Sequence, residues 1–227
     1  MTTTLITGGN KGLGRETARQ LLAHGHDVWI GARDAERGRR AGDELGARLV
    51  QLDVTDDASV AAAVATVGDL DVLVNNAGVS GGLAAPADVT ADLMRTVFDT
   101  TVFGLVRVTR AFLPALLRST AATLVNVSSG VGSLTLATDP GSMASRYQLV
   151  AYSSAKAAVN MVTVQYAKAF PQLRVNCVDP GFTATDFNGH RGVQTVEEGA
   201  RAIVRAALLG PDGPTGTFFD DSGTVPW

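Results

Sequence analysis

The feature that most restricts this chain is a repeated alternation. Short β-branched and apolar runs take turns with helical stretches along its 227 residues. Residues 4–7, 28–30, 48–52, 72–74, 123–127 and 174–178 read as strands, with 217–219 as a short last one. Residues 13–24, 35–45, 58–67, 91–118, 152–170 and 196–209 read as helices, the fourth long enough to be broken. The strand runs are apolar at successive positions, so both faces of the sheet must be covered. Parallel strands need long crossovers, and the helices supply them. The expected fold is α/β: a single doubly wound Rossmann-type domain over residues 1–227, with a parallel sheet of six to seven strands and helices on both faces. Ligands in such a fold bind beyond the carboxyl ends of the strands. The loop-like stretches 80–90, 130–150 and 181–195 are therefore the places to look.

Charge and cysteine usage narrow the partners. Lys and Arg number 19 against 22 Asp and Glu, a net charge of −3. No basic excess exists to grip a phosphate backbone, so nucleic acid is not expected as a partner. Nor is a membrane, because no apolar run approaches the ~20 residues of a span. The N-terminus lacks the basic start and apolar core of a signal peptide. The lone cysteine, Cys177, excludes a disulfide framework, and no metal-ligand spacing is present. A cytoplasmic protein is the expectation. Only three of the basic residues are lysines, Lys11, Lys156 and Lys168, which makes each of them conspicuous.

The first strand runs into Gly8-Gly9-Asn10-Lys11-Gly12-Leu13-Gly14 and then a helix. Glycines at this place let the chain turn tightly and bring backbone amides against a pyrophosphate at a helix N-terminus. An ordinary turn is the plain alternative. At the tip of the second strand, Asp34 stands 20 residues past Gly14, a spacing suited to a ribose 2′-hydroxyl. Arg33 lies nearer the tip and Lys11 sits inside the glycine turn. Two cations at one 2′-position favour a phosphate there, hence NADP(H) over NAD(H), and Asp34 then caps the next helix. Asp53, before Val54, could accept from an adenine amine or cap a turn. Asn75-Asn76-Ala77-Gly78 would let backbone run beside a ligand while the amides pin neighbouring strands.

Tyr152 and Lys156 are spaced i, i+4, which puts both on one helix face. Ser128-Ser129 ends the strand expected beside them. A phenol ionises near pH 10, and bringing it to ~7 needs about 4 kcal/mol. An ammonium ~4 Å away at an effective dielectric of ~20 supplies about that much. Ser129, favoured over Ser128, would orient a carbonyl oxygen.

Together these motifs resemble the short-chain dehydrogenase/reductase family over essentially the whole chain. Gly8, Gly12 and Gly14, then Asn75-Asn76-Ala77-Gly78, Ser129, Tyr152, Lys156 and Asp179-Pro180-Gly181 follow its order. Asn10-Lys11-Gly12 and Ala32-Arg33-Asp34 are similar to its carbonyl-reductase-like, NADPH-using members. The resemblance implies reduction of a ketone or aldehyde to an alcohol, or the reverse, with Tyr152 as acid/base, Lys156 on the nicotinamide ribose and Ser129 on the substrate oxygen. It implies further that Thr185 meets the nicotinamide amide or phosphate and that Pro180, Gly181, Phe182 and Thr183 run along the nicotinamide. A nucleotide-binding part over roughly 1–125 and a catalytic and substrate part over roughly 126–227 follow from it.

Three departures stand out. Thr101 occupies the place of an asparagine that, in the family, holds a proton-relay water. Ser129 and Tyr152 are 23 positions apart, about ten more than usual, so 134–150 should make an excursion at the substrate mouth. The stretch 182–195 is short for a substrate loop and carries Phe182, Phe187 and His190, which suggests an open, partly aromatic pocket with an exposed histidine. Pairing of the long helices would make a homodimer or homotetramer; the excursion would block it. The competing reading is a catalytically weak NADP-binding sensor or scaffold, supported only by Thr101.

Overall fold

The computed structural model describes residues 1–82 and 84–227. Leu83, inside the expected loop 80–90, lies outside the described residues. Seven parallel strands form one sheet in the order β3-β2-β1-β4-β5-β6-β7. These are β1 (Thr3–Thr7), β2 (Asp27–Ala32), β3 (Arg48–Gln51), β4 (Val72–Asn75), β5 (Thr123–Val127), β6 (Arg174–Val178) and β7 (Phe218–Phe219). The crossover helices are α1 (Gly12–Ala23), α2 (Ala35–Leu45), α3 (Asp57–Val67), α4 (Ala91–Phe98), α5 (Gly104–Leu116), α7 (Val150–Ala169) and α8 (Val196–Ala207). α6 (Leu134–Thr138) is a single short turn inside the 134–150 segment.

Side-chain alternation along each strand fills two cores. Leu5, Leu73, Leu124 and Val175 point to the layer packed by Phe112 and Leu116 of α5. Ile6, Val74, Val125 and Val178 point to the layer packed by Leu21 of α1 and Ile203 of α8. A buried polar ladder crosses the first layer. Asn75 Nδ2 donates to Asn126 Oδ1 (3.0 Å) and Thr109 Oγ1 (2.9 Å), and Asn126 Nδ2 donates to Thr163 Oγ1 (2.9 Å). Buried amides left unpaired are expensive, so this ladder sets the register of β4, β5 and α7.

Two expected elements differ in detail. The helix over 91–118 is interrupted by a π-helical turn at Asp99–Phe103, where one extra residue widens the backbone spiral between α4 and α5. The 130–150 stretch, expected as loop, contains 3-10 turns at Gly130–Gly132 and Ala144–Arg146 besides α6. Ser133 caps α6 by accepting from the Leu136 amide (3.0 Å), and the Thr135 amide donates to the Trp227 carbonyl (2.9 Å). No described helix is long and apolar enough to cross a membrane.

Candidate active site

The strand order reverses between β1 and β4, and the two tips are tied there. Thr7 Oγ1 accepts from the amides of Asn76 (2.9 Å) and Ala77 (3.0 Å). Asn76 Nδ2 donates back to the carbonyls of Thr7 (2.9 Å) and Gly8 (3.2 Å). Gly8 takes a φ of +65°, which a side chain resists. Gly14 is needed for closeness instead: a Cβ there would stand 2.5 Å from the Gly8 carbonyl and 2.5 Å from Asn76 Nδ2. α1 starts with no side-chain cap, so its first amides stay available to a ligand.

A cavity of about 1390 Å³ opens over these tips. Gly8, Asn10, Lys11, Gly12, Leu13 and Gly14 line one end, together with Arg33, Asp53 and Val54. Asn76, Ala77 and Gly78 line the middle. Ser129, Tyr152 and Lys156, with Pro180, Gly181, Phe182, Thr183 and Thr185, line the other end. Thr101 is the one predicted site residue outside this wall; Thr100 takes its place. Thr101 is buried, and its hydroxyl accepts from the Val79 amide at 3.3 Å. The hydroxyl still lies near the site, 3.5 Å from where a Gly78 Cβ would be, with Lys156 Nζ 3.8 Å from the same point.

Several side chains have settled partners. Asp34 caps α2 by accepting from the amides of Glu36 and Arg37 (both 3.0 Å), as expected. Asp53 Oδ1 accepts from the amide (2.9 Å) and hydroxyl (2.7 Å) of Thr55, the turn-capping alternative. Burial pushes the Asp53 carboxyl up, but the Thr55 bonds, with Arg33 and Arg107 nearby, hold it below the usual range. Lys11 Nζ lies 3.6 Å from Asp186 in an exposed ion pair, and Asp186 also pairs with His190 (2.9 Å). Thr183 Oγ1 turns back to the Pro180 carbonyl (3.1 Å), and Thr185 caps the short 3-10 turn Asp186–Asn188.

Both serines border the cavity, but they differ in their partners. Ser128 is buried, and its hydroxyl donates to Asn160 Oδ1. Ser129 lies on the cavity wall and interacts with the Tyr152 hydroxyl. Lys156 is 5% exposed. Its Nζ donates to the Val127 carbonyl (2.7 Å) and stands 5.5 Å from the centre of the Tyr152 ring.

Burial pushes the Tyr152 phenol above the ordinary tyrosine value, Asp179 adds to this, and Ser129 opposes it. Burial lowers Lys156 to about 8, with Asp179 and Cys177 pulling the other way. The ammonium donates to the backbone at the end of β5, while Tyr152 is half-buried on the cavity wall.

Sequence reasoning expected the 134–150 excursion at the substrate mouth but not the residues it contributes, and it gave Asp179 no separate role. The 134–150 segment supplies Leu136, Met143, Tyr147 and Leu149 to the cavity wall. Tyr147 meets Phe182 (6.2 Å between ring centres) and Tyr152 meets Phe187 (5.5 Å). The long Ser129–Tyr152 gap was the signal for this wall, but not for its residues. Asp179 also lines the cavity, and its place just before Pro180-Gly181 was the only sign of it.

The short chain dehydrogenase profile matches residues 2–195. A short-chain dehydrogenase of Penicillium roqueforti is 37% identical, with 97% of this chain and 94% of the relative covered. Salutaridine reductase of Papaver bracteatum is 31% identical over 96% of this chain and 94% of its own. That alignment runs over 292 positions against the 227 residues here, so the relative carries segments this chain lacks. Among solved structures, salutaridine reductase from Papaver somniferum superposes with a TM-score of 0.85 at 30% identity, covering 97% of this chain and 100% of that one. An NADPH-bound carbonyl reductase from chicken fatty liver gives 0.87 at 27% identity, covering 100% and 99%. A doubly wound sheet, a glycine turn at its switch point and matches that span the chain lead to one conclusion: this protein is an oxidoreductase of the short-chain dehydrogenase/reductase family.

Proposed function

We propose that this protein reduces a ketone or aldehyde to an alcohol, or runs the reverse oxidation, using NADP(H) in preference to NAD(H). One observation carries the reading: Ser129, Tyr152 and Lys156 share a cavity wall with the Gly8–Gly14 turn and Arg33. The nicotinamide cofactor would supply or accept the hydride. The residues fit such a group. The Gly8 turn is backbone pressed against Ala77, α1 is uncapped, and the cavity exceeds the roughly 300–1,000 Å³ of a single small-ligand pocket. Gly8 to Gly14 would hold the pyrophosphate, Arg33 with Lys11 the 2′-phosphate, and Asp53 and Val54 the adenine. Asn76, Ala77, Gly78, Pro180, Gly181, Phe182, Thr183 and Thr185 would flank the rest. Residues 1–125 then serve nucleotide binding, and 126–227 serve catalysis and substrate.

Ser129 donates to the substrate carbonyl oxygen and fixes it beside Tyr152. Tyr152 gives that oxygen its proton, a task suited to a phenol held protonated. Lys156 stays charged at neutral pH and stabilises the phenolate that proton transfer leaves. Thr101 acts through its bond to Val79, keeping the backbone after Gly78 beside Lys156. Tyr147, Phe182 and Phe187 suit an apolar substrate body. A lone buried thiol at Cys177 accords with a cytoplasmic setting.

The test is a titration with NADPH and NADH, then a panel of aldehydes, ketones and diketones followed by loss of nicotinamide absorbance, for wild type and Tyr152→Phe. Turnover should require Tyr152 while NADPH binding survives its loss. Tight NADPH binding without turnover across the panel would return weight to the sensor reading.

A further inference from the structure

Two aromatic contacts stand on the wall of the cavity that holds Ser129 and Tyr152. Phe187 meets the Tyr152 ring from the turn Asp186–Asn188, and Asn188 Nδ2 holds that turn by donating to the Thr183 carbonyl (2.8 Å). The other contact joins two separate stretches. Tyr147, from 134–150, meets Phe182, just after β6, with ring centres 6.2 Å apart and planes at 51°. Among the described residues no hydrogen bond links these two stretches, so their rings rather than their backbones meet. Each ring is carried by a held backbone. The Tyr147 amide donates to the Ala144 carbonyl (3.2 Å), and the Ala144 amide donates to Ser142 Oγ (3.1 Å). The Phe182 carbonyl accepts from the Val193 amide (2.9 Å). Tyr147 is 41% exposed, so its ring belongs to the wall and not to the core. The 134–150 stretch brings no charged side chain to the cavity. The facing stretch brings Asp186 and His190, which pair with each other, and Arg191, whose Nε donates to the Asn188 carbonyl (2.9 Å).

We propose that Tyr147 is a specificity-determining residue. With Phe182 it forms the aromatic surface against which the substrate body packs, and it selects uncharged ketones that carry a ring over those that carry an open alkyl chain. The inference rests on the functional reading above and names the substrate class for that site. Rings attract one another edge to face beyond the area they bury, because their edges are positive and their faces negative. An alkyl chain buries area without that attraction. Rings tilted by 51° are not stacked on each other, so a third ring can lie against the pair. A charged body would lose hydration against this wall and meet no counter-ion from the 134–150 stretch. The reacting oxygen falls to Ser129 and Tyr152, so the Tyr147 ring acts on the body alike in the ground and transition states. Its loss should therefore appear in KM and not in kcat.

Acetophenone and octan-2-one are the probes, two methyl ketones of equal carbon number of which only the first has a ring. The ratio of their kcat/KM values is measured with NADPH for wild type, Tyr147→Leu, Tyr147→Phe and Phe182→Leu. Intrinsic reactivity and any general loss of active protein cancel when the variants' ratios are compared. Tyr147→Leu should lower the ratio by about 2- to 10-fold, through a higher KM for acetophenone with kcat nearly kept. Phe182→Leu, from the facing stretch, should lower it likewise. Tyr147→Phe keeps the ring and should keep the ratio. In wild type, 4-acetylbenzoate, which is acetophenone with an added carboxylate, should be the poorer substrate. An unchanged ratio in Tyr147→Leu overturns selection by the ring. So does an equal fall in Tyr147→Phe, which would assign the effect to the hydroxyl. Better turnover of 4-acetylbenzoate than of acetophenone overturns the preference for an uncharged body. A wild-type chain that reduces neither ketone counts against the functional reading. The ratio is then taken from dissociation constants measured by calorimetry with NADP+ bound, and it still decides Tyr147.

Discussion

Replacing Lys156 by methionine should make the protein more stable at neutral pH while abolishing turnover. The side chain is 5% exposed, and its pKa falls from 10.5 to about 8 in the fold. At about 1.36 kcal/mol per unit, the charged form is destabilised by about 3 kcal/mol at pH 7. Methionine has a similar length and no charge. It leaves the Val127 carbonyl without its 2.7 Å donor, a loss of about 1–3 kcal/mol. The net expectation is a gain of up to about 2 kcal/mol at pH 7. The gain must depend on pH. Below about 8 the lysine is protonated in both folded and unfolded chains, and the penalty is complete. Between about 8 and 10.5 the folded chain sheds the proton while the unfolded chain keeps it, so the wild type recovers stability as pH rises. Above 10.5 both states are neutral and the penalty is gone. Other titrating groups are common to the two proteins and largely cancel in the difference. Urea unfolding of both proteins at several pH values across this window measures it. A methionine variant less stable than wild type at pH 7, or a difference that stays constant with pH, would refute the electrostatic account of Lys156.

Other substitutions probe separate links. Arg33→Ala should weaken NADPH by about 1.5–3 kcal/mol, the range of a charge-assisted bond, and leave NADH nearly unchanged in a fluorescence titration; equal losses would rule out a 2′-phosphate contact. Gly14→Ala should destabilise by about 1–3 kcal/mol, because a Cβ 2.5 Å from the Gly8 carbonyl overpacks the turn by more than the helix gains from alanine. A thermal melt at or above the wild-type temperature would show that the contact relaxes freely. Ser129→Ala should lower kcat by about 10²–10³, as loss of one oriented donor does. Ser128→Ala should instead lower stability by about 1–3 kcal/mol, since Asn160 loses its buried partner, with turnover kept. The opposite pattern in steady-state kinetics and unfolding would exchange the roles of the two serines.

Much of the architecture was legible because it depends on local pattern. Consecutive apolar residues at 72–74 and 123–127 demand a sheet covered on both faces, and intervening helices of ten or more residues demand parallel crossovers. The glycine turn and the Tyr152–Lys156 spacing were legible for the same reason, since their geometry is set within a few residues. The interruption between α4 and α5 was not placed, because an extra backbone residue in a helix leaves no mark in an apolar stripe. The wall built by 134–150 was expected only as an excursion. Its course depends on contacts distant in sequence, such as Thr135 with Trp227 and Tyr147 with Phe182.

The sequence by itself determined the fold class, the cavity's place at the strand tips and the glycine turn, Ser129, Tyr152 and Lys156 on its wall. Tertiary structure decided how those residues are charged and paired. Whether Lys156 meets a phenol or a carbonyl, whether Lys11 pairs with Asp186, and whether Tyr147 meets Phe182 are all matters of burial and of approach between distant segments. Spacing along the chain carries no value for the local dielectric, and it is desolvation that moves Tyr152 and Lys156 most.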